Sequence, residues 1–98
     1  SKCVASVGLD ISGQKFESCS TGNGPVDAAI RALKKIIIKE MVLKEFTIQA
    51  ISKGSDDVGK VHMQVEYNSH LYYGFGADTD VVKASLEAYI DCINKFRD

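Results

Sequence analysis

Thr21-Gly22-Asn23-Gly24-Pro25-Val26-Asp27-Ala28 and, 52 residues further on, Gly74-Phe75-Gly76-Ala77-Asp78-Thr79-Asp80 each join an extended apolar segment to a stretch with helical periodicity. Read as strand-to-helix turns, both place unpaired backbone N–H groups and the positive end of a helix dipole at one small volume, where a carboxylate can be held. The chain reads as one unit used twice, and a small acid is the first ligand to consider.

Ahead of the first turn, Lys2–Asp10 and Gln14–Ser20 mix apolar and polar residues around Ser12-Gly13, which predicts a β-hairpin. Behind it, Pro25 stands where a helix tolerates a missing N–H. Val26, Ala29, Ile30, Leu33, Ile36 and Ile37 then recur at helical spacing, with Asp27, Arg31, Lys34 and Lys35 on the other side, for a helix of about 14 residues. The β-branched run Ile36-Ile37-Ile38 leaves its end open.

From Leu43 to Ser52 the pattern alternates, with Leu43, Glu45, Thr47 and Gln49 set against Lys44, Phe46, Ile48 and Ala50, and predicts a strand. Lys53–Gly59 reads as a loop. Val61, Met63, Val65 and Tyr67 form the next strand, and Asn68-Ser69 turns into Leu71, Tyr72, Tyr73 and Phe75. The last helix carries Val82, Leu86, Tyr89, Ile90 and Ile93 on one stripe, closed by Phe96, with Thr79 or Asp78 as its cap.

This order predicts an α+β fold: two pseudo-repeated βββα units over about 1–40 and 41–98 of a single domain, an antiparallel sheet with two helices packed against it. The second half shows one strand more than the first. Either the first unit has two strands or its opening strand lies upstream, and the start at Ser1-Lys2 without methionine favours a fragment. A sheet of this size with open edges is expected to dimerise.

Ninety-eight residues at 45% hydrophobic bury one modest core, and a net charge of −1 without a basic stripe argues against nucleic acid. The stretch Arg31–Lys39 is the solvated side of a helix. No apolar run approaches the roughly 20 residues of a membrane span, and no signal peptide stands at the start. Three widely spaced cysteines, Cys3, Cys19 and Cys92, point to a reducing compartment, with Cys19 and Cys92 as buried free thiols. His62 and His70 have no ligand-spaced partner, so no metal site is expected.

With a helix beginning at Pro25, the free N–H groups are those of Gly24, Val26, Asp27 and Ala28. An anion there gains charge-assisted hydrogen bonds and a dipole contribution of roughly 0.3–1 kcal/mol. Gly24 leaves the space such a ligand needs. The structural alternative is that both turns need glycine only for positive φ. A dinucleotide fingerprint is disfavoured, since Gly22-x-Gly24-x-x-Asp27 lacks the third glycine. Asp56, Asp57, Asp78 and Asp80 are accounted for as turn and cap residues, which leaves no catalytic pair.

Taken together, Thr21–Ala28, Asp56-Asp57-Val58-Gly59, and Gly74–Val82 followed by Ala84-Ser85-Leu86 and Ala88-Tyr89 resemble the C-terminal regulatory domain of 2-isopropylmalate synthase. Citramalate synthases carry a similar domain. The resemblance implies a dimer of βββα pairs that binds the end-product amino acid and inhibits a separate acetyl-CoA-condensing barrel. That barrel, an acyltransferase with its divalent metal, is not in this sequence. By the same resemblance the effector site uses Asn23, Gly24, Pro25, Val26 and Asp27 and an apolar wall of Phe46, Ile48, Ala50, Val58, Gly59 and Ala77; for the ammonium, turn carbonyls and Asp78 are the candidates. Phe46 stands where relatives often carry tyrosine. L-leucine is the expected effector and L-isoleucine the alternative, in the cytoplasm, with no cofactor, nucleic acid or membrane partner. A dimerisation module without ligand is the competing reading.

Overall fold

The computed structural model describes residues 2–51 and 57–97, which form two compact units, Ser1–Lys39 and Glu40–Asp98. The class is α+β. The strands divide between two antiparallel sheets, one of two strands and one of three, so the single sheet expected from the element order is replaced by one sheet per unit.

In the first unit β1 (Ala5–Ile11) and β2 (Gln14–Ser20) pair from Ala5↔Ser20 to Ile11↔Gln14. The loop is Ser12-Gly13, both with positive φ, which suits the twist of a two-residue hairpin. The Asp10 carboxylate accepts the Gly13 N–H at 2.9 Å. Helix α1 (Pro25–Ile36) packs on this hairpin and buries Ala28, Ala29, Ile30, Ala32 and Leu33, with Val7 from β1. It is shorter than its periodicity suggests, because Ile37 already has extended backbone. The β-branched side chains there lose rotamer freedom in a helix and tip the balance.

Cys19 is not a free thiol. The register sets Ala5 against Ser20, and Val4 N–H donates to the Ser20 carbonyl at 2.8 Å. Cys3 is thereby brought beside Cys19, Cα to Cα 5.6 Å, and the two form a disulfide. Residues 16 apart in sequence meet because a hairpin register folds them together, which spacing alone does not reveal. The inference of a reducing compartment from three free thiols loses its basis. Cys92 is free and buried, and burial pushes its thiol pKa up.

In the second unit β3 (Met41–Ile51), β4 (Val58–Tyr67) and β5 (His70–Asp78) follow in order with β4 central. Asn68 and Ser69, both at positive φ, make the β4–β5 turn. A bulge between Leu43 and Glu45 shifts the parity of β3. Met41 and Leu43 precede it and Phe46 and Ile48 follow it on one face, so Leu43 does not share a face with Glu45, Thr47 and Gln49.

Helix α2 (Val81–Asn94) covers the face carrying Val61, Met63 and Val65. The second Gly-x-Gly is not a turn. Gly74 and Gly76 lie inside β5, where α2 crosses so closely that a Cβ at Gly74 would stand 2.1 Å from the Ala88 carbonyl oxygen, and one at Gly76 would stand 2.0 Å from that of Ala84. Glycine in a strand marks close backbone approach here. The helix answers with Ala84, Ala88 and Cys92 at i, i+4 and i+8, all fully buried, while Val82, Leu86 and Ile90 are only half-buried. Phe96 follows the helix and stacks on Tyr67 at 4.4 Å and against Tyr72 at 4.8 Å.

Tyr89 is fully buried, and its hydroxyl has no hydrogen-bond partner among the described residues. Burial, with a smaller contribution from Cys92, pushes its pKa up to about 12. A buried hydroxyl without a partner keeps its desolvation cost and gains nothing for it. Tyr89→Phe is therefore expected to leave stability unchanged or raise it by about 1 kcal/mol. A urea melt with a lowered midpoint would show that the hydroxyl has a partner after all.

Candidate functional site

The start of α1 is open. Gly24 is the N-cap residue, at φ 132 and ψ 172, and no side chain caps the helix from that position. Ala28 N–H donates to the Gly24 carbonyl at 3.0 Å as the first intrahelical bond, so it is not among the free donors. The N–H groups of Gly24, Val26 and Asp27 have no partner among the described residues. A Cβ built at Gly24 meets nothing within 4 Å. Glycine is required here for its backbone, since this φ and ψ combination is closed to other residues, and open space adjoins it.

Gly22 serves a different purpose. A Cβ there would lie 2.6 Å from Ala28 N and 2.8 Å from an Asp27 carboxylate oxygen, so the chain presses directly on the first helical turn. Asp27 folds back over that turn. Its Oδ2 accepts the Asn23 N–H at 2.8 Å and pairs with Arg31 Nε at 3.0 Å, a contact the sequence reading missed although the i, i+4 spacing signals it. The Asn23 hydrogen bond first, and then the charge of Arg31, lower the Asp27 pKa. A depressed carboxylate contributes its stabilisation above its ordinary pKa and loses it as pH falls through the lowered value.

The start of α2 is closed by contrast. Asp80, not Thr79 or Asp78, is the N-cap residue, and its carboxylate accepts the Val82 N–H at 2.9 Å. Asp78 Oδ1 accepts the Asp80 N–H at 2.8 Å. Two carboxylates already hold these donors, so an added anion would face like charge. The two junctions, equal in the sequence, are unequal in chemistry.

The residues of the expected apolar wall gather at one end of the three-stranded sheet. The registers Ile48↔Val61↔Gly76 and Gly59↔Asp78 place Ile48, Gly59 and Asp78 on the face that also carries Phe46, while the side chain of Ala50 lies outside the described residues. Val58, which pairs with Ile51, and Ala77, which pairs with Lys60, take the opposite face. At this end α2 has only begun. Phe46 is half-buried, but Ile48 is 45% exposed, and Val81 comes within 3.6 Å of a Cβ built at Gly59. Val81 thus packs beside Gly59 at this end of the sheet, a neighbour its position just inside a helix hides. Asp56 lies outside the described residues.

A shallow hollow of about 430 Å³ lies on the hairpin of the first unit, lined by Ser6, Val7, Gly8, Glu17, Ser18 and Cys19. It contains none of the candidate residues. Among the described residues no group of three or more His, Cys, Asp or Glu side chains could hold a metal. No described helix is long and apolar enough to cross a membrane.

Comparison with known proteins gives these features a family. Residues 1–97 match the family model described as the LeuA allosteric (dimerisation) domain. The chain is 60% identical over 94 residues to a 2-isopropylmalate synthase of Parabacteroides distasonis, covering 95% of this chain and 19% of that protein. It is 40% identical over 92 residues to one of Heliobacterium modesticaldum, 94% of this chain and 18% of that protein. To one of Pyrococcus furiosus it is 37% identical over 83 residues, 85% of this chain and 17% of that protein. The chain spans about a fifth of the length of the curated relatives it matches. With a family model covering nearly every residue, this chain belongs to the family of LeuA allosteric (dimerisation) domains.

Proposed function

We propose that this domain senses the end product of branched-chain amino-acid synthesis, with L-leucine as effector, and passes the signal to a 2-isopropylmalate synthase. The observation that carries the reading is the contrast between the two helix starts. Among the described residues, α1 keeps the Val26 and Asp27 N–H groups unpartnered next to open space at Gly24, and α2 does not keep its own free. A carboxylate fits that chemistry. Burial of a leucine-sized side chain against apolar surface would add about 1.5–3 kcal/mol. Asn23 and Pro25 shape the turn.

In this reading the domain itself carries no catalytic residue and no cofactor. Acetyl-CoA, the divalent metal and the condensation belong to a separate catalytic domain of a cytoplasmic enzyme. Inhibition requires that leucine bind two states of the enzyme unequally, since affinity alone shifts no equilibrium. The dimer contact is the natural lever.

Isoleucine differs from leucine by the position of one methyl, which an apolar pocket separates by only ~1–3 kcal/mol. Calorimetric titration of the chain with leucine, isoleucine and valine tests the proposal. Leucine is expected to bind tightest. Absence of heat with all three would reduce the domain to a dimerisation module.

A further inference from the structure

On the face of the three-stranded sheet turned away from α2, β3 and β4 present mainly polar residues, Glu45, Thr47 and Gln49 beside Lys60, His62, Gln64 and Glu66, as such a face usually shows to water, but β5 does not. Leu71, Tyr73 and Phe75 follow at i, i+2 and i+4 along β5 and are 48%, 59% and 44% exposed. Val42, 53% exposed, lies on the same face but is separated from Leu71 by Glu66. The Phe75 ring lies 5.0 Å from the His62 ring, so the apolar stripe spreads onto β4. Strand β4 itself carries Lys60 at one end of this face and Glu66 at the other. An exposed apolar stripe bordered by polar and charged residues marks an interaction surface.

We infer that this face is where two copies of the chain meet, sheet to sheet, about a two-fold axis running across the strands at the level of Met63 and Gly74. The pattern is self-complementary about that level. Three residues to either side of Met63 stand Lys60 and Glu66, so the axis sets Lys60 of one copy against Glu66 of the other, twice. Tyr73 and Phe75 flank Gly74 by one residue each and face one another as an aromatic pair. Leu71 and Ala77 flank it by three, so a large side chain meets a small one. An isologous contact demands this kind of self-matching, and a chance apolar patch does not supply it.

Edge-to-edge pairing through β5 does not compete. The Asp91 carboxylate accepts the Phe75 N–H at 2.9 Å, and Lys95 Nζ donates to the Tyr73 carbonyl, so α2 occupies that edge. The second copy therefore meets the face, where aromatic side chains remain uncovered. The inference rests on the family's dimerisation and not on effector binding.

Sedimentation equilibrium of the 98-residue chain, with circular dichroism to verify folding, tests it. Lys60→Glu and Glu66→Lys are each expected to weaken the dimer by at least roughly tenfold, because each sets like charges together at two symmetric places. The double variant K60E/E66K restores the pairs in reverse and should return the dimer constant to near the original. Tyr73→Lys with Phe75→Lys should give folded monomers. A dimer indifferent to the single charge changes, or a double variant no better than the singles, overturns the inference. An intact dimer that takes up no leucine would sink the proposed effector function and leave this interface standing.

Discussion

Gly76→Val is expected to unfold the second unit, whereas Gly8→Ala, also in a strand, should be nearly silent. A Cβ at Gly76 would lie 2.0 Å from the Ala84 carbonyl oxygen, 2.8 Å from Ala88 N and 2.9 Å from Glu87 Cβ. Two of these are helix backbone atoms and cannot swing aside. Relief requires lifting α2 off β5, which would uncover Val61, Met63 and Val65, the buried centre of this unit. Even Gly76→Ala should cost about 3 kcal/mol, the upper range for overpacking, and valine more. A Cβ at Gly8 meets nothing within 4 Å, and its φ is not in the left-handed region. Thermal melts of the three variants check the claim. A Gly76→Val protein that melts near the parent would mean that α2 does not sit this close to β5.

The second large effect concerns ligand and not fold. Gly24→Asp and Gly24→Ala are expected to lose similar stability, roughly 1–3 kcal/mol, because both force a side chain onto backbone angles that only glycine tolerates. They should part company in binding. The alanine methyl enters open space beside the α1 donors, and leucine affinity should fall only modestly. The aspartate places a negative charge where the effector carboxylate would lie and offers the Val26 and Asp27 N–H groups an internal partner, as Asp80 does for Val82. Affinity should drop below calorimetric detection, at least about a hundredfold, since a charge-assisted contact is both lost and replaced by repulsion. Equal affinities for the two variants would remove the carboxylate from this helix start.

How far the sequence could be read depended on whether a residue's purpose was local. Hairpins announced themselves because Ser12-Gly13 and Asn68-Ser69 are turn residues between alternating strands, and both adopt the positive φ that such turns demand. Pro25 marked the first turn of α1 for the same reason. Gly74 and Gly76 misled, because a glycine needed for the approach of a distant helix looks in one dimension like a glycine needed for a turn. The signal was present in Ala84, Ala88 and Cys92, a row of small residues that only makes sense opposite a bare strand. The Leu43–Glu45 bulge shifts the parity of one strand by a single residue, which alternation counted along the chain does not register. The Cys3–Cys19 bond needed a register known only after pairing.

At the site, the helix-start donors at Val26 and Asp27 were legible from Pro25 onward, and Ala28 was not, because its N–H is consumed by the Gly24 carbonyl. The family resemblance grouped residues that the strand register divides, since Phe46, Ile48, Gly59 and Asp78 share one face of the three-stranded sheet. It could not tell that Val58 and Ala77 point to the other side, since facing depends on pairing.

The clamp that Asp91 and Lys95 place on β5 has a bearing on how this protein behaves when concentrated. Unpaired strand margins are templates for fibrous growth, and a bulge near a lysine is a common means of spoiling one. Here one margin is occupied by the molecule's own helix and the other is broken at Lys44. Lateral recruitment of further ladders to the three-stranded sheet is frustrated on both flanks, so crowding in a cell should not drive filaments built on it.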